Sequence, residues 1–487
     1  MNRAWRMGVA ALVLSGGCFA EPSEIDPEGS TSQADTGSAT QVNPSTTSVG
    51  DGEPDSSSTT LATETTGTGS TGSTGDDATG GGPPVPSMLR FTPEPEVLFN
   101  DAARVGSRLI AVGTSLNDGQ DFGQSVIAYI DGPGTARFDE PLEDDVADEL
   151  YAIATNDDAT SYAAVGRAGD AQTFGASVIL GDEGGEDFVI DIRTQFGEDL
   201  SLEATAVARG ENHWLVAGTV QDGSMFLAQV DDEGGVPTID QYTSVDADAM
   251  LRPLAIAVGE NDFVLSAVEV GVAGRRAVVA RGNAATSALT NAFVLSGTTS
   301  MRIFDIVPSP WRMDEWLLVG EYDDGMLVGG FDPNNEPMFS FVSNASLPPA
   351  RAAEMDAGTV WIAGESVEGA GGAVFVGTVT DRGAVTALEL SGLTLNPGGR
   401  APLEAGAGRA TLVAAGPSGS ATVVPVSGML STSCEGEPFG EAERGALAEV
   451  SPVVLGYPFS AGTVPVIGFP LVPRSMSTPQ DPEDLCP

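Results

Sequence analysis

An all-β fold built from repeated small sheets is predicted for this chain by three observations. Residues 204–235, ATAVARGENHWLVAGTVQDGSMFLAQVDDEGG, hold three short apolar runs divided by turns, and residues 238–242 supply a fourth. Recognisably the same unit occurs seven times between residues 100 and 430. The runs are apolar on both sides instead of alternating, as expected of strands buried between two neighbouring sheets.

Within the unit, Ala204-Thr205-Ala206-Val207-Ala208 is a small-residue strand, and Gly210-Glu211-Asn212 a turn. Trp214-Leu215-Val216-Ala217-Gly218 is a second strand closed by glycine. Met225 to Val230 form a third, which ends at Asp231 and the turn Glu233-Gly234-Gly235. Aligning the copies on the second strand brings Gly113, Gly166, Gly218, Ala267, Gly320, Gly364 and Gly416 to one position, with steps of 53, 52, 49, 53, 44 and 52 residues. Self-similarity at this period with four strands per unit predicts a seven-bladed β-propeller of four-stranded blades over residues 88–428. First strands such as Ala152-Ile153-Ala154 and Ala255-Ile256-Ala257 are small because the blades converge there. Outer fourth strands follow six of the units, but the seventh lacks one and Met88-Leu89-Arg90-Phe91-Thr92 is left over. That N-terminal strand is expected to complete the last blade, since closure removes exposed edges.

The hydrophobic strand ending in Val216-Ala217-Gly218, followed by Val230-Asp231-Asp232-Glu233-Gly234, resembles the delta-sixty family of bacterial propeller repeats. The likeness covers about two-thirds of the chain. It implies a fold and not an activity, because propellers host both enzymes and binding scaffolds.

Residues 1–17 read as an export signal of the lipoprotein type. Arg3 and Arg6 give a basic start, Met7 to Leu14 an apolar run too short to span a bilayer, and Ser15-Gly16-Gly17 a small-residue cleavage site. Cys18 after these residues resembles the lipobox cysteine of bacterial lipoproteins, although Leu14 stands four residues ahead of it where that family places leucine three ahead. The resemblance implies lipidation of Cys18. With Phe19 next, it also implies an outer-membrane lipoprotein of the cell envelope, periplasmic or surface-exposed; ordinary cleavage and secretion is the alternative. Residues 18–87 are rich in Ser, Thr and Gly and nearly devoid of large apolar side chains, so they are expected to form a disordered linker. Its r.m.s. span is roughly 45 Å.

Residues 429–487 form a Pro-rich C-terminal tail with Cys434 and Cys486. With Cys18 lipidated, these two are expected to pair in an oxidising envelope. That disulfide would add about 4 kcal/mol on the chain-entropy model. Between them, residues 451–455 and 464–471 are apolar enough to pack against the propeller.

The charge balance is extreme, with 69 acidic residues against 21 basic ones, every one of the latter arginine. Such a surface repels nucleic acid and anionic headgroups, so no nucleic-acid partner is expected and membrane contact only through the lipid anchor. The only histidine, His213, has no Gly-x-Ser-x-Gly elbow to serve, so it is read as structural. With one histidine and the cysteines accounted for, no metal and no cofactor are expected. The acidic turn at residues 182–187 lacks the alternating oxygens of a calcium loop. Ligand binding is instead expected on the rim made by the loops between second and third strands, with Asn117, Asp118, Asp121 and Phe122 in the first blade and Asp170 and Phe174 in the second as candidates. Trp311, in a long turn, is expected to cover a neighbouring blade.

These features lead to a monomeric, non-enzymatic propeller tethered to a membrane outside the cytoplasm and binding a protein or glycan. The rival is a glycosidase-like hydrolase using paired carboxylates in the central pocket. The two are separated by whether acidic side chains with raised pKa values converge on the axis or the channel is narrow and lined by Ala, Val and Gly.

Overall fold

The computed structural model describes residues 88–485 apart from short segments, the longest being 366–373, 431–447 and 472–479. The described strands fall into seven antiparallel sheets of four or five strands, with no α-helix among the described residues. Blade 1 runs Glu96–Val105, Arg108–Leu116, Gln124–Ile130 and Ala136–Asp139 from the axis outward. Blades 2 to 6 repeat this meander from first strands Ala147–Thr155, Leu202–Arg209, Met250–Val258, Met301–Pro308 and Ala350–Asp356. Blade 7 has three consecutive strands, Leu403–Gly406, Arg409–Ala415 and Ala421–Ser427. Its fourth is the N-terminal strand Leu89–Phe91, with Leu89 opposite Val423 and Phe91 opposite Ala421. The protein is a seven-bladed β-propeller, closed where the sequence predicts.

Seven apolar clusters hold the ring together, each shared by two adjacent blades. The third strand of blade 1, QSVIAYI, is buried at every position because both its faces meet a neighbouring sheet. The cluster between blades 7 and 1 joins Phe91, Val413 and Val423 to Phe99, Val126 and Phe138, so the ring is shut by the same kind of contact that builds it. Trp311 is partly buried against the cluster between blades 5 and 6.

The recurring glycine has a specific cause. In blades 1 to 6 the first strand carries a β-bulge, and the residue just before it pairs with the aligned position: Phe99 with Gly113, Leu150 with Gly166, Ala204 with Gly218, Pro253 with Ala267, Ile303 with Gly320 and Ala350 with Gly364. A Cβ on Gly166 would lie 1.8 Å from the Glu149 carbonyl oxygen, and one on Gly113 2.0 Å from that of Leu98. The bulge pushes the first strand's backbone onto the second, leaving no room for a side chain. Gly416 of blade 7 lies just beyond its strand and meets the Ser420 and Thr422 hydroxyls instead.

Among the described residues the C-terminal tail runs along the outer edges of the blades, one after another. Ala448–Val450 pairs with the outer strand of blade 5, Val453–Gly456 with that of blade 4, Phe459–Val464 with blade 3 and Val466–Leu471 with blade 2. Gln480 then bridges Ala136 of blade 1, and Glu483–Asp484 pairs with Leu89–Phe91 in blade 7. Every pairing is antiparallel. Between blades 3 and 4 the tail drives Tyr457 inward: its backbone N–H donates to the Ala292 carbonyl at 2.8 Å, and its hydroxyl bonds Ser244 and Glu269. Glu269, itself buried, is paired with Arg276.

Phe91 is 1% exposed and stands edge-on to Phe138 at 6.2 Å. Phe91→Ala should therefore destabilise the propeller by about 3–5 kcal/mol, read from the denaturant midpoint; a change below about 1 kcal/mol would show that the N-terminal strand does not close the ring.

Candidate functional site

The first strands meet at the axis, where residues hundreds of positions apart come into contact. Arg400, three residues ahead of the first strand of blade 7, extends Nη1 to Asp101 of blade 1 at 3.3 Å and Nη2 to Asp305 of blade 5 at 2.6 Å. Both aspartates follow the bulge directly, and they fill it alike. Asp101 accepts the backbone N–H of Ala102 at 3.0 Å and of Ile153 in blade 2 at 3.1 Å. Asp305 accepts those of Ile306 and of Ala353 in blade 6, each at 2.9 Å. In blades 2, 3, 4 and 6 the equivalent position is alanine: Ala152, Ala206, Ala255 and Ala352.

Glu354 of blade 6 stands beside this bridge, and Glu404 of blade 7 is held by Arg104 of blade 1 through Nε at 3.2 Å and Nη2 at 3.0 Å. Burial, opposed by Arg400, raises Asp101 to about 6. Burial, reinforced by Asp305 and Asp101 and opposed by Arg400, lifts Glu354 well above the ordinary glutamate range. The axis thus combines both features weighed from the sequence, acids with raised pKa values at Asp101 and Glu354 and alanine after the bulge in blades 2, 3, 4 and 6.

What these carboxylates can do is limited by their partners. Both oxygens of Asp101 and both of Asp305 already accept backbone N–H groups, and each aspartate also shares the one guanidinium. A general base or nucleophile needs a free lone pair aimed at substrate. The two aspartates are better described as fasteners, joining blade 1 to 2, blade 5 to 6, and both to 7. Neutral polar groups make similar links, with Asn100 Nδ2 donating to the Leu150 carbonyl at 2.6 Å and the Thr205 hydroxyl to that of Pro253 at 2.8 Å.

At the mouth of the ring, the face where the first strands begin, paired charges line blades 2 to 6. Glu149, Glu203, Arg252 and Arg302 occupy one homologous position, each one residue ahead of the residue that precedes the bulge. Arg167 pairs with Glu149 at 3.1 Å, Arg252 with Glu203 at 3.6 Å, Arg302 Nε with Glu321 at 3.0 Å and Arg351 with Glu365 at 3.8 Å. Four arginines meet four glutamates, so these pairs cancel one another in a chain of formal charge −48. Aromatic rings lie among them. The Tyr151 hydroxyl donates to Glu149, Arg302 lies 5.1 Å from the Phe304 ring centre, and Arg167 lies 5.3 Å from that of Phe174. Burial and the charges of Glu203 and Glu149 keep the Tyr151 phenol protonated well above its usual range.

Phe174 is accordingly placed at this mouth, half-buried, with its N–H donating to the Ser201 hydroxyl at 3.2 Å. Asn117, Asp118, Asp121, Phe122 and Asp170 lie outside the described residues, as do Cys18, Cys434 and Cys486. His213 is half-buried, 3.4 Å from Gln229 Nε2, and burial lowers its pKa. Among the described residues no group of three His, Cys, Asp or Glu side chains could hold a metal ion. The Asp182 carboxylate caps the Gly184 N–H at 2.5 Å, as a turn. Sequence reasoning missed Asp101, Asp305 and Arg400. The signal available was an aspartate in two copies of the repeat where four others have alanine.

No protein-family model matches the chain, and no curated protein does. Its fold is similar to that of solved propellers. One is the β-propeller domain of the Trilobed protease from Pyrococcus furiosus, at 9% identity and TM-score 0.40, covering 72% of this chain and 97% of that one. Another is a prolyl endopeptidase at 14% identity and TM-score 0.41, covering 71% of this chain; the chain spans about half of that protein's length, 49%. Sqt1 from Chaetomium thermophilum is a third, at 11% identity and TM-score 0.34, covering 66% of this chain and 95% of that one.

The same mouth holds a titratable group beside the first-blade loop. Asp148 is 2% exposed, accepts the Ser125 hydroxyl, and has an Oδ1 with no hydrogen-bond partner among the described residues. Burial, opposed by Ser125, raises it to about 7. An acid whose pKa is higher folded than unfolded binds its proton more tightly in the native state, so stability falls as pH rises from about 4 to about 7. That loss is on the order of 4 kcal/mol. Asp148→Asn should flatten this slope and stabilise the protein at pH 8; a slope unchanged from wild type in urea melts across pH 4–8 would assign the titration elsewhere.

Proposed function

We propose that this protein is a lipoprotein whose delta-sixty-like propeller is displayed outside the cytoplasm on a flexible tether and acts as a binding or scaffold module for a glycan or a protein. The observation that carries the reading is the set of paired charges at the mouth. Arginine supplies donors only and ionised glutamate acceptors only, so their alternation around the half-buried Tyr151 and Phe174 suits a ligand with many hydroxyls and an apolar face. Elsewhere the acidic surface favours no anionic partner. A neutral glycan fits this chemistry best.

The rival hydrolase reading draws on Glu354, a carboxyl whose pKa burial raises beside the axis, as a general acid's would be. It requires a second carboxylate free to act. Asp101 and Asp305 are both committed to backbone N–H groups and Arg400, which supports the binding reading.

Binding should be measured on an array of neutral and acidic oligosaccharides. Retention of a neutral glycan by the wild type, lost at least tenfold in Phe174→Ala and Arg167→Ala, is the expected outcome. Binding indifferent to both substitutions, or turnover of the array that Glu354→Gln abolishes, would remove the reading.

The anchor and the tail carry a further expectation. Cys18 is proposed to be acylated, and Cys434 and Cys486 to form a disulfide. The described residues that flank the pair support this: Leu430 and Met88 pack against one cluster in blades 6 and 7, and the Leu485 N–H donates to the Met88 carbonyl at 3.0 Å. Palmitate labelling should vanish in Cys18→Ser, and the unreduced protein should offer no thiol to an alkylating reagent. Persisting label would sink the anchor, and two reactive thiols the disulfide.

A further inference from the structure

In blades 1 to 6 the fourth strand follows the third directly in the chain, whereas in blade 7 it comes from the other end of the molecule. Leu89–Phe91 is therefore held by pairing and packing alone. It is also short: three residue pairs, Leu89 with Val423, Arg90 with Thr422 and Phe91 with Ala421, join it to its neighbour. A strand of that length with one open edge frays, because each pair lost exposes the next.

The end of the tail occupies the second edge. Leu89 lies opposite Asp484 and Arg90 opposite Glu483, the Leu485 N–H donates to the Met88 carbonyl at 3.0 Å, and Arg90 forms an ion pair with Glu483 at 3.8 Å. Just ahead of these contacts, Gln480 exchanges both backbone hydrogen bonds with Ala136 in the outer strand of blade 1, at 2.7 and 3.1 Å. Residues 480–485 thus bond first one side of the seam and then the other. Gly134, in a turn of blade 1, marks the crossing, since a Cβ there would lie 3.1 Å from Leu89 Cδ1 and 3.5 Å from Pro482 Cγ. Turn, closing strand and tail meet at that point.

The earlier strands of this belt do something different. Those on blades 2 to 5 lie against fourth strands that the chain itself joins to the third. The last one turns a strand without such a join from an edge into an interior strand of its sheet.

We propose that residues 480–485 are a staple across the seam between blades 7 and 1, and that its release is the step that lets Leu89–Phe91 leave and the ring open. Departure of the strand takes Phe91 out of the apolar cluster shared by those blades. The residues that precede Met88 join the ring here, so a pull on them reaches the Met88 carbonyl, and with it the bond from Leu485, first. The staple acts in this way whether or not those residues are a tether.

Hydrogen-exchange mass spectrometry under reducing conditions, where no disulfide contributes, tests this on two variants. Leu485→Pro in the full chain removes the donor to Met88, and a chain ended after Pro479 removes the whole staple. Exchange at residues 89–91 and 421–423 should quicken at least tenfold in the shortened chain and by a smaller factor in Leu485→Pro, while blades 3 and 4 keep the wild-type rate. Should the shortened chain fail to fold, Leu485→Pro alone decides. Unchanged exchange at residues 89–91 would overturn the proposal, since the three pairs with blade 7 would then suffice. Equal acceleration in every blade would overturn it too, because the segment would then stabilise the fold without controlling the seam.

Discussion

Every blade of this protein has two apolar faces, and a sheet with two apolar faces is stable only when both are covered. Adding blades in a row leaves an open face at each end, whatever their number. Closing the row into a ring covers all of them, which makes the contact between blades 7 and 1 the one on which the remaining six depend. The chain solves this by dividing blade 7 between its two ends, with Leu89–Phe91 arriving from the N-terminal side. Ring closure thereby ties residue 91 to residue 421 and gives blade 7 its fourth strand.

Convergence at the axis imposes a second constraint. First strands crowd together, and in blades 1 to 6 their backbones bulge outward against the second strand. The aligned glycine answers that bulge. This is why the blade repeat was legible in the sequence: steric exclusion at one backbone position leaves a mark in every copy, with Ala267 the sole departure among the bulged blades. The buried strands and the closing N-terminal strand were legible for the same reason, since apolar runs of strand length have few other uses. The axial bridge was not. Asp101 and Arg400 are 299 residues apart, and in one dimension an aspartate in place of alanine looks like any other acidic residue of a strongly acidic chain.

The belt was equally hidden, for a different reason. Its strands are held by backbone pairing along outer edges, which asks little of side-chain type, so residues 448–471 show no repeat. Strand twist explains why such a path exists. Successive strands in a sheet rotate by about 20–25°, so three steps from inner to outer strand turn the chain by roughly 60–75°. Outer strands therefore lie nearly along the circumference, each pointing toward the next blade. A tail laid on them passes from Ala448–Val450 to Val453–Gly456, Phe459–Val464 and Val466–Leu471, one blade at a time. Among its described residues Tyr457 turns inward, and its burial between blades 3 and 4 fixes the tail's position along the rim.

The placement of arginine follows from both constraints. A carboxylate buried at the axis is costly without a counter-charge, and the chain owns few cations to spend on 69 acids. Arginine is the suitable cation because its planar fork can meet two carboxylates at once, as Arg400 does for Asp101 and Asp305. The same economy at the mouth pairs Glu149, Glu203, Glu321 and Glu365 with one arginine each, while Asp148 is buried there with no ion pair among the described residues. Charge pairing at the mouth is thus a by-product of stabilising the inner strands.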